Sequence, residues 1–407
     1  MYKKTIDPYL LFIVIALVIF GVVMISSVSV YPSFKTTSRM VANGTLAEAS
    51  NSFYLLKNFG HVFMGMIVLV IFTKLSYTYL EKWNRIVIAW VLAMMVIVLI
   101  IGKEYNGARW WLDIPWLPSI QPVEFAKVGI IVFLASFMKK KRSLLSDFHE
   151  GTIPYFLIVG TLFLLLALQP DFGSILILAP VLLALYFIGG WNIRHIVLLF
   201  LIGGIGAGSI YGIGKIGGEN KSKLSYISSR IDSFFQNNET LFSKKDVDGK
   251  DYQIKQGLIA IGSGGFGGLW FGKSIQKFGY LPEVQGDFIF SVIVEELGFV
   301  GALCLLSLFL TITYRGYVIA RSVKDPFGKY LAFGLSTIIL MQVFVNIWVN
   351  LNVVPLTGVT LPFVSYGGSS LIALMLSIGI LLNVSRHMEY HSPSGASQSF
   401  TKKRRAY

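Results

Sequence analysis

Long apolar runs alternate with short polar breaks along the whole chain, recurring near residues 8–28, 59–76, 85–102, 121–138, 153–169, 172–189, 194–213, 288–312, 328–350 and 368–385. A helix needs about 20 apolar residues to span the hydrocarbon core of a bilayer, so each run is of the length for a single crossing. The pattern predicts an all-α polytopic membrane protein of about ten spans, with both ends on one side. The first run follows MYKK, where a signal peptide would stand, but its apolar stretch exceeds a cleavable core and predicts a retained helix.

Composition agrees. Of 407 residues 54% are hydrophobic and 14% charged, with 40 glycines, too apolar a balance for a soluble domain of this length. The single cysteine, Cys304, excludes a disulfide framework and is expected as a small buried hydrophobe.

Lysine and arginine in the short loops set the orientation. With the N-terminus in the cytoplasm, nineteen fall on that side: Lys3 and Lys4; Lys74, Lys82 and Arg85; Lys139, Lys140, Lys141 and Arg142; Arg194; Arg315, Arg321, Lys324 and Lys329; and Arg386 with Lys402, Lys403, Arg404 and Arg405. The short loops opposite hold five: Lys35, Arg39, Lys57, Lys103 and Arg109. Both termini are therefore expected in the cytoplasm. Residues 1–386 read as one transmembrane domain, and the polar tail 387–407 as disordered, with a basic end suited to anionic lipid. The net charge of +14 is scattered over many loops, which argues against a nucleic-acid surface.

One loop, residues 214–287, is far longer than the rest and lies outside on this topology. Tyr226, Ile227, Ile231, Phe234, Phe235, Ile254, Leu258 and Ile259 recur in it at amphipathic-helix spacing, predicting helices along the outer surface. Its glycine run GSGGFGGLWFG fits no Walker pattern and reads as a tight turn.

Five tracts carry a resemblance. NGARWWLDI at 106–114, QPVEFAKV at 121–128, LQPDFGS at 168–174, the stretch from YQIKQGLIAIGSGGFGG to YLPEVQGDFIFSVIVEELGFVG, and PLTGVTLPFVSYGGSSL at 355–371 occur in the order seen in the SEDS family of polytopic peptidoglycan polymerases. The resemblance implies a glycosyltransferase that polymerises lipid II into nascent glycan at the outer face of the bacterial cytoplasmic membrane. It also implies a class B penicillin-binding transpeptidase and other division or elongation membrane proteins as partners. The tracts QGLIAIGSGG and GVTLPFVSYGGSSL lean toward the division members. A lipid II flippase is the rival reading and a scaffold a third; the chain has no plain inverted repeat, and its largest loop and key acid lie on one side only.

The resemblance implies Asp287, opening the eighth span, as the catalytic carboxylate. Gln285 and Gly286 stand where many members have His-Thr, Gly257 where serine is common, and Trp270 and Phe271 interrupt a glycine-leucine-glycine run. Transfer of a sugar to a 4-hydroxyl needs a base on that hydroxyl and cationic help on the departing diphosphate. Taken alone, Asp287 on a first helical turn reads first as an N-terminal cap. Candidates to bind the substrate are Arg109, Glu124, Lys127, Gln276, Lys277, Glu283, Glu295, Ser365 and Ser369. Glu124 and Lys127, three apart on a helix, share a face as a structural pair or a substrate contact. Asp171 and Gln169 read as a capped turn.

Asp287, Ser291 and Glu295 follow at intervals of four and are expected to face a polar groove; Glu296 lies about 100° round from Glu295, so the two cannot both project centrally, and one of them is expected to pair with Lys127 or an inner-side arginine. Pro355, Pro362, Gly358, Gly367 and Gly368 make the last outer loop irregular, as a cavity lining with Ser365, Ser369 and Ser370 would be. The sequence holds no dedicated metal motif, and Mg²⁺ or Mn²⁺ bridging the diphosphate is the one cofactor it leaves open.

Overall fold

A computed structural model describes residues 5–105, 108–113, 119–190, 194, 197, 204 and 249–388. The expected seventh span, the outer-loop segment with Tyr226 to Phe235 and the basic tail lie outside the described residues.

The helices are α1 (Pro8–Val28), α2 (Val30–Ala42), α3 (Phe53–Lys74), α4 (Tyr77–Lys82), α5 (Asn84–Ile101), α6 (Pro122–Lys140), α7 (Ile153–Leu168), α8 (Phe172–Ile188), α9 (Gly249–Gly264), α10 (Ile289–Ser322), α11 (Pro326–Asn350) and α12 (Gly368–Ser385). Nine expected spans thus coincide with a helix, most within two residues at each end; α3 begins well before the expected start at 59, and α10 runs on well past the expected end at 312. Among the described residues seven helices are long and apolar enough to cross a membrane, α7 being counted with the π-helical turn Phe148–Thr152 that leads into it; α8 is apolar but shorter than these, and α6 carries Glu124 and Lys127 in its first turns. The apolar runs did not announce α2, nor the two-stranded hairpin of β1 (Lys103–Tyr105) and β2 (Ala108–Trp111), because neither is a long apolar run.

The centre of the bundle is α6, α11 and α12, flanked by α10, with α3, α5 and α7 mostly outward. Small residues let backbones approach there: a Cβ on Gly334 would sit 2.7 Å from Ile131 Cγ2, and one on Gly379 2.8 Å from the Leu69 carbonyl oxygen. Cys304 is exposed rather than buried, on an outward face of α10, where lipid suits a thiol as well as a core would.

One end of the bundle is stitched by polar contacts. Asp7 caps α1 through Leu10 N–H (3.0 Å) and accepts from Arg315 Nε (3.0 Å), while its own N–H donates to Ser385 Oγ (3.0 Å). Lys139 pairs with Glu81 and Asp325, each at 2.8 Å. Residues 7 and 385, near the two ends of the described chain, therefore lie on one face, and Asp287 lies on the other.

There, α10 is not continuous: Gly298 has φ 68° and ψ −169°. The glycine run after α9 threads this break, with Leu269 N–H donating to the Glu295 carbonyl (2.9 Å) and Phe299 N–H to the Gly265 carbonyl (3.0 Å). A Cβ on Gly268 would lie 2.2 Å from the Glu296 carbonyl oxygen, so the glycines permit backbone-to-backbone contact that re-satisfies groups the break frees. Of the expected amphipathic positions, α9 buries Ile254, half-buries Leu258 and leaves Ile259 exposed.

Candidate functional site

Asp287 sits in a turn that starts at Glu283, whose φ of 50° is left-handed and strained for a non-glycine residue. Gly286 N–H closes the turn on the Glu283 carbonyl (2.9 Å), and Tyr366 N–H from the last outer loop donates to the Gln285 carbonyl (2.8 Å). The Asp287 residue is 8% exposed and its carboxylate Oδ1 has no hydrogen-bond partner. Burial, then the negative charge of Glu283, push its pKa up to about 7, against the pull of the Asp287 and Phe288 backbone N–H groups. Phe288 is the N-cap residue of α10 and gives it no side-chain cap.

The Asp287 carbonyl oxygen is held from α11, where Asn346 Nδ2 and Asn350 Nδ2 each donate to it at 2.9 Å. Asn346 also donates to the Val359 carbonyl (2.7 Å), and Asn350 Oδ1 accepts from Ser291 N–H (3.2 Å) and Oγ (2.7 Å). A Cβ on Gly358 would lie 3.9 Å from Asp287 Oδ2, so the last outer loop faces the acid.

Farther along α10 the arrangement departs from an open groove. Glu295 is 1% exposed and accepts from Ser274 Oγ and Ile275 N–H (3.0 Å). Glu296 is fully buried and pairs with Lys277 at 2.8 Å, not with Lys127 or an inner-side arginine. Lys277 Nζ also donates to Ser27 Oγ on α1 (2.7 Å). Glu295 and Glu296 therefore face protein, because the chain from Ser274 to Lys277 folds back over the face that periodicity alone left open, and Ser291 is closed off by Asn350. Gln276 is buried beside them, its Oε1 without a partner, and Glu283 is exposed.

A second buried pair lies at the outer end of α6. Lys127 Nζ contacts Glu124 Oε1 and Oε2, both at 2.9 Å, and donates to Gln342 Oε1 (3.3 Å). Gln342 Nε2 donates in turn to the Thr360 carbonyl and Ser370 Oγ, each at 3.2 Å. Ser365 accepts from Leu361 N–H (2.8 Å), and Ser369 accepts from Gln121 N–H (3.0 Å) and donates to the Ser119 carbonyl (3.2 Å); both serines brace the outer loops. Asp171 caps α8 through Ser174 N–H (3.0 Å) and Oγ (2.7 Å), and Gln169 donates to the Met95 carbonyl (2.9 Å), as a capped turn should.

Arg109 stands apart. It is exposed on β2 and donates to the Leu99 and Ile100 carbonyls at the end of α5, at 3.4 and 3.3 Å. The structure thus brings Asp287, Glu283 and the 358–366 loop together, and links Glu124 and Lys127 to them through α11. Sequence reasoning missed Gln342, Asn346 and Asn350. Their signal was present, three amides at four-residue intervals in one apolar run, and therefore on one helix face. Among the described residues no three His, Cys, Asp or Glu side chains gather as a metal site would require.

A buried, unsatisfied carboxylate under a polar loop, at one end of a bundle of apolar helices, defines a membrane protein with a chemical site at one face. The chain matches the model of the cell cycle protein family of FtsW, RodA and SpoVE over residues 8–390, and it belongs to that family. It is 35% identical to stage V sporulation protein E of Bacillus subtilis over 95% of this chain and 99% of that one. It is 34% identical to the probable peptidoglycan glycosyltransferase FtsW of the same organism, covering 96% and 94%. Among solved structures it resembles the rod shape determining protein RodA of Thermus thermophilus, with TM-score 0.66, 26% identity and coverage of 95% and 98%. It also resembles a chain from a peptidoglycan synthase complex described as coordinating polymerization and crosslinking, with TM-score 0.71, 26% identity and coverage of 94% and 98%.

Proposed function

We propose that this chain is a peptidoglycan glycosyltransferase that polymerises lipid II at the outer face of the bacterial cytoplasmic membrane, with both termini cytoplasmic. The observation that carries the reading is Asp287: a nearly buried carboxylate with an unpartnered oxygen and a pKa raised to about 7, on the face opposite the basic loops. A general base works best with a pKa near the operating pH. The acceptor 4-hydroxyl gives its proton to Asp287 as its oxygen bonds to the anomeric carbon of the donor. The bond from that carbon to the diphosphate oxygen breaks, and polyprenyl diphosphate leaves with the electron pair.

Lys127 and Lys277 are each paired with a glutamate, so neither offers an uncompensated charge to the diphosphate. Their part in binding would be to fix the walls of the site. Among the described residues no three His, Cys, Asp or Glu side chains gather around one point; Mg²⁺ or Mn²⁺ carried in with the diphosphate would supply positive charge to the leaving group, and no step above passes through it. Two relatives named for FtsW and stage V sporulation favour a division-type role over elongation. The synthase complex whose chain this one resembles supports a cross-linking transpeptidase as partner.

The test is purified protein, with and without its candidate transpeptidase, in liposomes carrying lipid II in both leaflets. Glycan strands on an electrophoretic gel are the expected product. Movement of lipid II between leaflets with no strands under any condition would replace the reading with a flippase.

A further inference from the structure

We infer that Asn350 and Asn346 are positioning residues for Asp287, and that Asn350 supplies from a neighbouring helix the N-terminal cap that Asp287 would otherwise provide. This rests on the reading of Asp287 as the base.

A helix start leaves its first N–H groups without intrahelical partners, and an acidic side chain at or just before the first turn is their usual acceptor. Asp287 stands two residues before Ile289, the first residue of α10, where its carboxylate could turn onto those donors. The acceptor is provided from elsewhere: Asn350 Oδ1, at the far end of α11, takes the Ser291 N–H at 3.2 Å and its hydroxyl at 2.7 Å. The same amide donates through Nδ2 to the Asp287 carbonyl (2.9 Å), and Asn346, one turn earlier, donates to that carbonyl as well. Three bonds from two side chains therefore satisfy the Asp287 carbonyl and the Ser291 N–H; the carboxylate feels only the nearer Asp287 and Phe288 N–H groups, and its Oδ1 is left without a donor.

An amide serves here where a charged group would not. It offers one acceptor and two donors on a rigid plane, so it caps the Ser291 N–H and holds a carbonyl oxygen at once. A lysine would neutralise the base and a second carboxylate would repel it. The groups facing Asp287 match this: Glu283 from its own turn is the charge acting on it, α11 presents Asn346 and Asn350, the last outer loop presents Gly358, and α9 approaches through Gly257 against Phe288. Asn346 extends the clamp by donating to the Val359 carbonyl, which fixes that loop opposite the carboxylate.

The consequence is chemical. A carboxylate that accepts backbone N–H bonds is stabilised as the anion and becomes a weaker base. With Asn350→Ala the Ser291 N–H loses its acceptor, and the Asp287 carboxylate turns to replace it. The acid limb of the rate profile against pH should then move down by about one unit, with kcat lower by about tenfold or more and KM little changed. Asn350→Asp keeps the acceptor for Ser291 but loses the donors and adds negative charge beside Asp287, so the limb should move up.

The experiment is lipid II polymerisation by both variants across pH, at matched amounts of folded protein, alongside Asp287→Asn. Opposite shifts of the acid limb in the two Asn350 variants are the expected result. If Asn350→Ala does not fold, the upward shift in Asn350→Asp decides alone. A parental limb in every folded Asn350 variant, or losses seen only in KM, overturns the positioning role while Asp287→Asn stays inactive. Full activity in Asp287→Asn would instead overturn the base itself.

Discussion

The two ends of this bundle use polar residues in opposite ways. At the end expected to face the cytoplasm, the inner end, Asp7, Arg315 and Ser385 are joined in one set, and Lys139 holds Glu81 and Asp325. Asn383 similarly accepts from Tyr77 N–H and donates to the Thr73 carbonyl. At the outer end Asp287 Oδ1, Asn346 Oδ1, Gln285 Oε1, Gln276 Oε1, Glu296 Oε2 and Thr357 Oγ1 are buried without partners; the inner half leaves only Ser136 Oγ and Arg386 Nε so among the described residues. Buried polar atoms are nearly always satisfied, so the two ends differ in how closely the chain answers its own polar groups: the inner end is a lock, and the outer end, where the proposed site lies, is more loosely paired.

The largest effect expected is at Lys277 and Glu296, one of two outer-end buried pairs, with Glu124 and Lys127, that behave like the lock. Lys277→Met leaves Glu296 buried and uncompensated, a loss of about 3–5 kcal/mol, seen as a lower melting temperature and less folded protein. The double change Lys277→Met with Glu296→Leu should recover most of it. Failure to recover would mean Lys277 does more than neutralise Glu296.

Next comes Asp287→Asn, which should raise stability. The folded pKa of about 7 lies above the ordinary carboxylate value, so the folded state binds more protons in between, and stability falls as pH rises through that window. The Asn variant escapes that loss and should melt higher than the parent at pH 8, by the equivalent of about 1–3 kcal/mol. The gap should close by pH 4. A gap independent of pH would show that the carboxylate is not the source.

At the inner end Arg315→Met should cost about 1 kcal/mol, less than a fully buried pair because the arginine is partly exposed. Rate per folded molecule should be unchanged. A fall in that rate would break the division between lock and site. The smallest effect belongs to Arg109→Ala, expected at a few tenths of a kcal/mol in melting, since an exposed cation at a helix end contributes little. A large loss of polymerisation in that variant would bring Arg109 into the site.

Apolar length is a local property, so the helices of nine expected spans were legible from the run pattern alone. The break at Gly298 was not, since its cause is the 264–269 segment passing through it, a contact between residues about thirty positions apart. The place of Asp287 just before α10 was legible from the apolar run that follows it. The partners of Glu295 and Glu296 were not, because helical spacing gives a direction and says nothing of which loop fills it. Gln342, Asn346 and Asn350 were within reach: uncharged amides in an apolar helix draw less notice than charges, yet burying them without partners is also costly.

The most direct measurement is the rate at which Asp287→Asn converts lipid II to glycan, relative to the parent, at matched folded protein and neutral pH. An amide keeps the size of the side chain and cannot take a proton from the acceptor hydroxyl. A rate lower by about a hundredfold or more, in a protein that folds as well as the parent or better, is the predicted result. A near-parental rate would contradict the account and move the base to Glu283.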